Sequence, residues 1–586
     1  MRAGVRRRAR GVSVDDVLSR LQHLAITLDC LDVSAALRCN RCVISHVCTC
    51  INVVGKFHLE RTDNLVSVLL AIGSPALAGY SLAITRLNSR WLSRQFMYLH
   101  FPNKVNVPLA ISALQHIPFR IEVLGPFLSS LIVLPQNDRY WKLLAVAAKR
   151  TRQWSIPVAM NIVWALVAFL FTIVDSFADF DTFITVPGDA GYSIAAVWTY
   201  LLPVVVGWLH VGSQPEADHL RDALNEAHEI AYVATASEPV LATRIPNRST
   251  RAIEPSMALI DHVNADEKKT APIFNYARAF IWSQHAEYIL RLYEHAAAKA
   301  ERRITVQYGG EWMSGDDQNI VANDRIGNEA EVVRYCMGGF AASPNPSPSS
   351  FQPPTLFPPY SVLPPSPGSF QPPTLFPPYP VLPPSVSSKY DEETLTMGLG
   401  AVHEKPVFAT EVFQRVAFAT ALALLLQGGT TGASIVIHLN TPPKGIGCRV
   451  LTFVLYGTAG TAAFGFLLFS SILAHWVRRQ SVYEKRSILK TFVGCIATLM
   501  RWLGKTIAIA NGLGILISCT LQFAGVYDNC FCSSTVFGGN LDRLIVFATA
   551  VGRGSEVYGY WIGGTIMAFG VSGLYSFAIY VATPVG

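Results

Sequence analysis

Seven stretches of this chain are long, apolar and nearly free of charge: 64–85, 155–174, 192–212, 416–437, 450–474, 506–526 and 557–583. Each is close to the roughly 20 residues that cross a hydrocarbon core as a helix. Lipid offers no partner for a backbone N–H or C=O, so such a run must satisfy its own backbone by coiling. The fold class expected is therefore all-α: a polytopic transmembrane helical bundle of about seven spans, with a range of six to eight. Composition agrees, because only 15% of residues are charged where a soluble chain carries about 25%. The natural partner of such a surface is the lipid bilayer. Pro75 falls in the middle of the first span and predicts a kink there. Trp154, Trp476, Trp502 and Trp561 lie near span ends, where interfacial tryptophans concentrate.

Loop charge sets the expected orientation. The stretch 86–154 holds ten Lys and Arg against two acids, and 475–505 holds seven. By contrast 176–191 has none, 438–449 has two, and 527–556 has two. These alternate as seven spans require. The basic loops are then cytoplasmic, the N-terminus outside and the C-terminus inside. The N-terminal segment 1–63 pulls the other way, with ten basic residues of its own. The net charge of +7 reads as cytoplasmic loop charge, and no nucleic acid is expected as a partner.

The domain plan follows. Segment 1–63 is basic and contains cysteine. Span 1 covers 64–85. A basic loop, 86–154, contains the apolar stretch 105–134, interrupted by Pro108, Pro118, Pro126, Arg120 and Glu122. That stretch reads as interfacial helices lying on the membrane or partly re-entrant. Spans 2 and 3 occupy 155–212, spans 4 and 5 occupy 412–474, and a basic loop runs 475–505. Spans 6 and 7 occupy 506–583, with a cysteine-containing outer loop at 527–556.

The connection 213–411 is a long helical and disordered cytoplasmic loop. Within it 275–303 is an amphipathic helix, with Ile281, His285, Tyr288, Ile289, Leu292, Tyr293 and Ala296 on one stripe. Such a stripe packs on the protein's own cytoplasmic surface or docks a partner. Residues 343–385 hold a proline-rich repeat, SFQPPTLFPPY twice over. Proline at that density forms polyproline II or flexible chain, and the unit Pro380–Pro383 fits an SH3-type partner.

The eleven cysteines divide by location. Cys39, Cys42, Cys48 and Cys50 lie too close together to wrap a zinc ion, so no metal is expected. Cys448, Cys530 and Cys532 fall in two loops on the same predicted outer side. They are disulfide candidates tying those loops together.

Catalytic signatures are missing: no H-E-x-x-H, G-x-S-x-G or Walker loop occurs. No enzyme activity and no cofactor is expected. The fourth span carries Gln427, Gly428, Gly429, Thr430, Thr431 and Gly432 near its middle. A broken helix there would offer backbone groups to a substrate, as discontinuous transporter helices do. Gln427, Thr430, Thr431 and, from the sixth span, Asn511 are the candidate substrate-binding residues. The alternative is close helix packing, which glycine and threonine also serve. In the seventh span Gly559 and Gly563 form a GxxxG, followed by Gly564, Ala568, Ser572 and Ser576 at four-residue spacing, a helix-packing face within the chain or between copies, hence a homo-oligomer.

Several of these stretches carry a resemblance. GSPALAGYSLAITRLNSRW (73–91), QGGTTGASIVI with TPPKGIGCR (427–449) and AGVYDNCFCSS (524–534) resemble a group of multi-span membrane proteins from filamentous and mushroom-forming fungi. WSIPVAMNIVW and APIFNYARAFIWSQ are similar to the same group. The likeness covers 60–586 outside the proline repeat. It implies a membrane protein and brings no activity with it. Two functions remain: a transporter or small-molecule binder using a broken fourth span, or a membrane scaffold or receptor-like protein recruiting partners through its cytoplasmic loop.

Overall fold

The computed structural model describes residues 61–122, 126–150, 196–211, 217–245, 251–255, 266–269, 271–313, 320–337, 407–441, 446–481, 488–523, 527 and 554–581. Segment 1–60, the expected second span, Asn247, the proline-rich repeat, Cys530 and Cys532 lie outside them. The described part is mostly helical.

The chain opens with α1 (Arg61–Gly73) and α2 (Pro75–Met97). They meet at Ser74 with a bend of 103°. Sequence explains the restart: Ser74 caps α2 by accepting from Leu77 N, and Pro75 occupies the first helical position, where a missing N–H costs nothing. There follow α3 (Asn106–Ala113), β1 (Phe119–Ile121), α4 (Pro126–Val133), α5 (Asp138–Arg150), α6 (Leu201–Val211) and α7 (Ala217–Glu229). Three short strands come next, β2 (Tyr232–Val233), β3 (Val240–Leu241) and β4 (Ile253–Pro255). Then come α8 (Asn275–Glu301) and α9 (Glu329–Cys336). The last four helices are the longest: α10 (Val407–Asn440), α11 (Cys448–Ser481), α12 (Ile488–Phe523) and α13 (Gly554–Val581).

Among the described residues, α10 to α13 are the four helices long and apolar enough to cross a membrane, and the bent pair α1–α2 makes up to five. The described residues thus hold four to five of the seven expected spans, and the second expected span lies outside them. The third expected span is represented by a shorter apolar helix, Ala196–Trp208. Leu499, Trp502, Ile517, Ile566, Leu574 and Phe577 stand exposed on α12 and α13, a surface suited to lipid. Trp561, by contrast, is buried and donates from Nε1 to Thr441 Oγ1 at 3.0 Å.

Two cores result. One lies in the bundle, where α1, the first half of α2, the segment 197–205, the start of α8 and helices α10 to α13 meet. The other is built from described residues within 92–144, 220–253, 282–300 and 306–336. The described part of the stretch 105–134 joins this second core. Ile111, Leu114, Leu128, Ile132 and Leu134 are buried in this second core beside Trp282, Ile289 and Tyr293 of α8. Trp282 Nε1 donates to Ile111 O at 2.8 Å. β1 pairs antiparallel with β4, joining the two sequence segments directly. Arg325 closes the unit with paired bonds to Asp138 at 2.7 and 2.8 Å and a bond to Val133 O at 2.7 Å.

Candidate functional site

The break between α1 and α2 frees backbone groups inside an apolar bundle. In an unbroken helix the carbonyls of Ala71, Ile72 and Gly73 would accept from residues 75, 76 and 77. Pro75 has no N–H, and the bend takes the other two donors away. Each orphan finds a side chain instead. Tyr200 OH donates to Ala71 O at 3.2 Å, Tyr456 OH to Ile72 O at 2.6 Å, and Asn511 Nδ2 to Gly73 O at 2.7 Å. The donors are matched too: Ala76 N donates to Gln427 Oε1 at 2.9 Å and Leu77 N to Ser74 Oγ at 3.3 Å. Five backbone groups are therefore capped, four of them by side chains from distant elements. An unpaired buried group of this kind costs about 1–3 kcal/mol.

The capping side chains hold one another in place. Gln427 Nε2 donates to Gly457 O at 2.7 Å and Thr461 Oγ1 at 2.8 Å. Asn511 Nδ2 also donates to Tyr456 O at 2.9 Å, and Ser74 Oγ donates to Gly460 O at 2.8 Å. Glycine permits the approach. A Cβ on Gly73 would stand 1.8 Å from Ala508 O, and one on Gly512 would stand 2.8 Å from Leu69 O.

The expected break in the fourth span does not occur, because α10 runs unbroken through 427–432. Its glycines serve packing: Gly429 faces Val571 and Gly432 faces Met567 of α13. Thr430 Oγ1 bonds back to Leu426 O at 2.9 Å, the turn-inward bond that threonine makes in apolar helices. Thr431 differs. Its hydroxyl is buried and has no hydrogen-bond partner, while its Cγ2 lies beside Gly457. Gln427 and Thr431 are one turn apart on the same face. The structure thus gathers Gln427 and Asn511 at one break, but at that of the first span, and places Thr431 a turn away. Ser74, Tyr200 and Tyr456 escaped the sequence reading. Serine before Pro75 was the available signal for the first; a tyrosine in an apolar run gives none.

Gly559 and Gly563 are exposed, with no neighbouring atom within 4 Å of where their Cβ would stand. Of the expected face, Gly564, Ala568 and Ser572 are buried within the chain, together with Trp561 and Tyr575. Cys448 is in a disulfide.

A second polar centre lies at the end of the bundle where α11 finishes and α12 starts. Asp266 and Glu267 are buried there. Asp266 pairs with Lys505 and lies 3.8 Å from Arg501, both on α12, and accepts from Tyr276 OH at 2.5 Å. Glu267 pairs with Arg478 of α11 at 3.0 Å. Burial pushes the Glu267 carboxyl up to about 7, although the Arg478 guanidinium draws it down. In sequence these acids sit in ADEKK and look like ordinary loop charge. No group of histidine, cysteine, aspartate and glutamate among the described residues could hold a metal ion.

Comparisons of the chain with protein-family models, with curated proteins and with solved structures returned no match.

Proposed function

We propose that this chain is an integral membrane transporter or small-molecule binder whose site lies at the break in its first span. The observation that carries the reading is the Thr431 hydroxyl, buried and without a partner one turn from Gln427. A polar atom in that state gains by meeting a ligand's donor or acceptor. Broken helices in membranes are tolerated where neighbours or a bound solute satisfy the freed backbone, and many transporters use them so. No ionised side chain takes part in the capping of the break, so the ligand class is a small, uncharged, hydrogen-bonding molecule.

Orientation belongs to the same reading. The end carrying Arg478, Arg501 and Lys505 faces the cytoplasm, with the second core below it, the C-terminus inside and the N-terminus outside. The bilayer covers the exposed apolar faces of α12 and α13.

The test is thermal unfolding of the detergent-purified chain against polyols, short alcohols, urea and primary amides, beside Thr431→Val. Binding at one hundred times the dissociation constant stabilises by about 2.7 kcal/mol. A shift in the parent that Thr431→Val loses supports the site. No shift with any of these probes would sink it and favour the scaffold reading, with the second core as bait.

A further inference from the structure

The two polar centres share one helix face. On α12, Lys505 holds Asp266, Ala508 touches Gly73, and Asn511 caps the Gly73 carbonyl. Six residues separate the first from the last, about 9 Å along the axis. Between them lies the segment that leads from Asp266 into α8. Pro272–Phe274 packs against both α1 and α2. Ile273 O accepts from Ser81 Oγ of α2 at 2.9 Å, and Asn275 Nδ2 donates to Thr85 Oγ1 at 2.7 Å. Tyr276 O accepts from Ser471 Oγ of α11 at 2.9 Å. Phe274 is fully buried, with the Lys269 and Lys505 ammonium groups 5.3 and 5.8 Å from its ring centre.

Most of this seat is neutral and apolar; the exception is the pair of acids at its edge. Buried ion pairs add little stability over apolar packing, because desolvation offsets the attraction. Their best-attested use is to select one arrangement over another. Here the acids come from the long connection and the cations from the bundle, so the pairs select whether that segment is seated.

We propose that the turn at 266–269 together with Pro272–Phe274 is a latch closing the cytoplasmic side of the first-span break, held by Asp266 to Lys505 and Arg501. The proposal rests on reading the break as a binding site. With the latch seated, α8 is drawn against α2 and α11 and Phe274 lies under the break. With the pairs broken, the segment leaves and the break opens to the cytoplasm. The device is local: it needs only Asp266 to part from Lys505 and Arg501.

The test places a reporter under the latch. Ser471→Cys is isosteric and covered by the first turn of α8. The full chain in membrane vesicles is treated from the cytoplasmic side with a charged maleimide, and labelling is counted above the chain without that substitution. Ser471→Cys alone is expected to react slowly. Adding Lys505→Glu sets two carboxylates against each other and should speed labelling by about tenfold or more. Adding Asp266→Lys to that variant re-forms the pair with its charges exchanged and should restore protection. Lys505→Glu that labels no faster than its parent overturns the latch. So does a swapped pair that stays as reactive as the single variant, since the exposure would then come from damage rather than from the lost pair. Labelling needs no ligand, so a failed thermal-shift screen with this labelling pattern would sink the binding site and leave the latch.

Discussion

Asn511 Nδ2 and the Gly73 carbonyl lie 438 positions apart in the chain and 2.7 Å apart in the bundle. The bond ties α12 to the end of α1 at the point where the first span breaks. Asn511→Leu keeps the number and branching of the side-chain heavy atoms and removes both donors, stranding the Gly73 carbonyl. A loss of about 1–3 kcal/mol is expected, read as a lower midpoint of thermal unfolding in detergent. An unchanged midpoint would mean that another group satisfies that carbonyl.

Glycine is required at 73 and dispensable at 428. A Cβ on Gly73 would meet Ala508 O at 1.8 Å and its carbonyl carbon at 2.7 Å, and backbone cannot step aside as a side chain can. Gly73→Ala should cost several kcal/mol or abolish folding. Gly428 has open space around it, and Gly428→Ala should be neutral or stabilise by up to about 1 kcal/mol through helix propensity. Comparing the yield and melting of the two variants checks the α1–α12 crossing.

Gln427 and Thr431 sit one turn apart, yet their loss should differ. Gln427→Leu leaves Ala76 N without its side-chain partner, while Gly457 O keeps Thr461 Oγ1, and should destabilise the ligand-free chain by about 1–3 kcal/mol. Thr431→Val deletes a hydroxyl that has no partner, so ligand-free stability should hold or rise slightly. Equal destabilisation by both would show that the Thr431 hydroxyl is used structurally.

Seating of the latch should depend on pH through Glu267. Seated, its carboxyl is held up at about 7 by burial, with Arg478 opposing; released, it returns to the ordinary range near about 4.3. The proton thus favours the seated state. That contribution is complete below the ordinary value and is lost as pH rises through about 7. Arg478 on α11, Arg501 on α12 and Arg278 on α8 act on the carboxyl, and Asp266 beside it in its own turn is held by Lys505, Arg501 and Tyr276. Glu267→Gln imitates the protonated form and should stay seated throughout. The ratio of Ser471→Cys labelling rates, parent over Glu267→Gln, should therefore rise between about pH 4.3 and pH 7 and level off above that. A constant ratio would exclude Glu267 as the titrating group.

Cys448 and Ser471 lie toward opposite ends of α11. In sealed vesicles, Cys448 should react with a charged maleimide only after reduction, and only from the side opposite to that which labels Ser471→Cys. Labelling of both from one side would overturn the orientation.

Much of the membrane part was legible in the sequence. The four terminal apolar runs become α10 to α13, because the transfer of apolar residues into lipid is local and nearly additive along the chain. The kink at Pro75 was legible too, since a missing N–H is a property of one residue. Its depth was not: a bend of 103° stands only because Tyr200, Tyr456, Asn511 and Gln427 arrive from elsewhere to cap it. The sequence could mark Gln427 and Asn511 as polar residues in apolar helices, but not what they meet. Nor could it say which of the α13 glycines meets a neighbour inside the chain: Gly564 faces α10, while Gly559 and Gly563 have open space. A helix apolar on every side has no stripe that points inward, and lipid does not distinguish a buried leucine from an exposed one. The same limit explains the stretch 105–134, whose apolar residues would suit a membrane surface equally well. What drew it into the second core is the complementary face of α8, about 160 residues further along the chain.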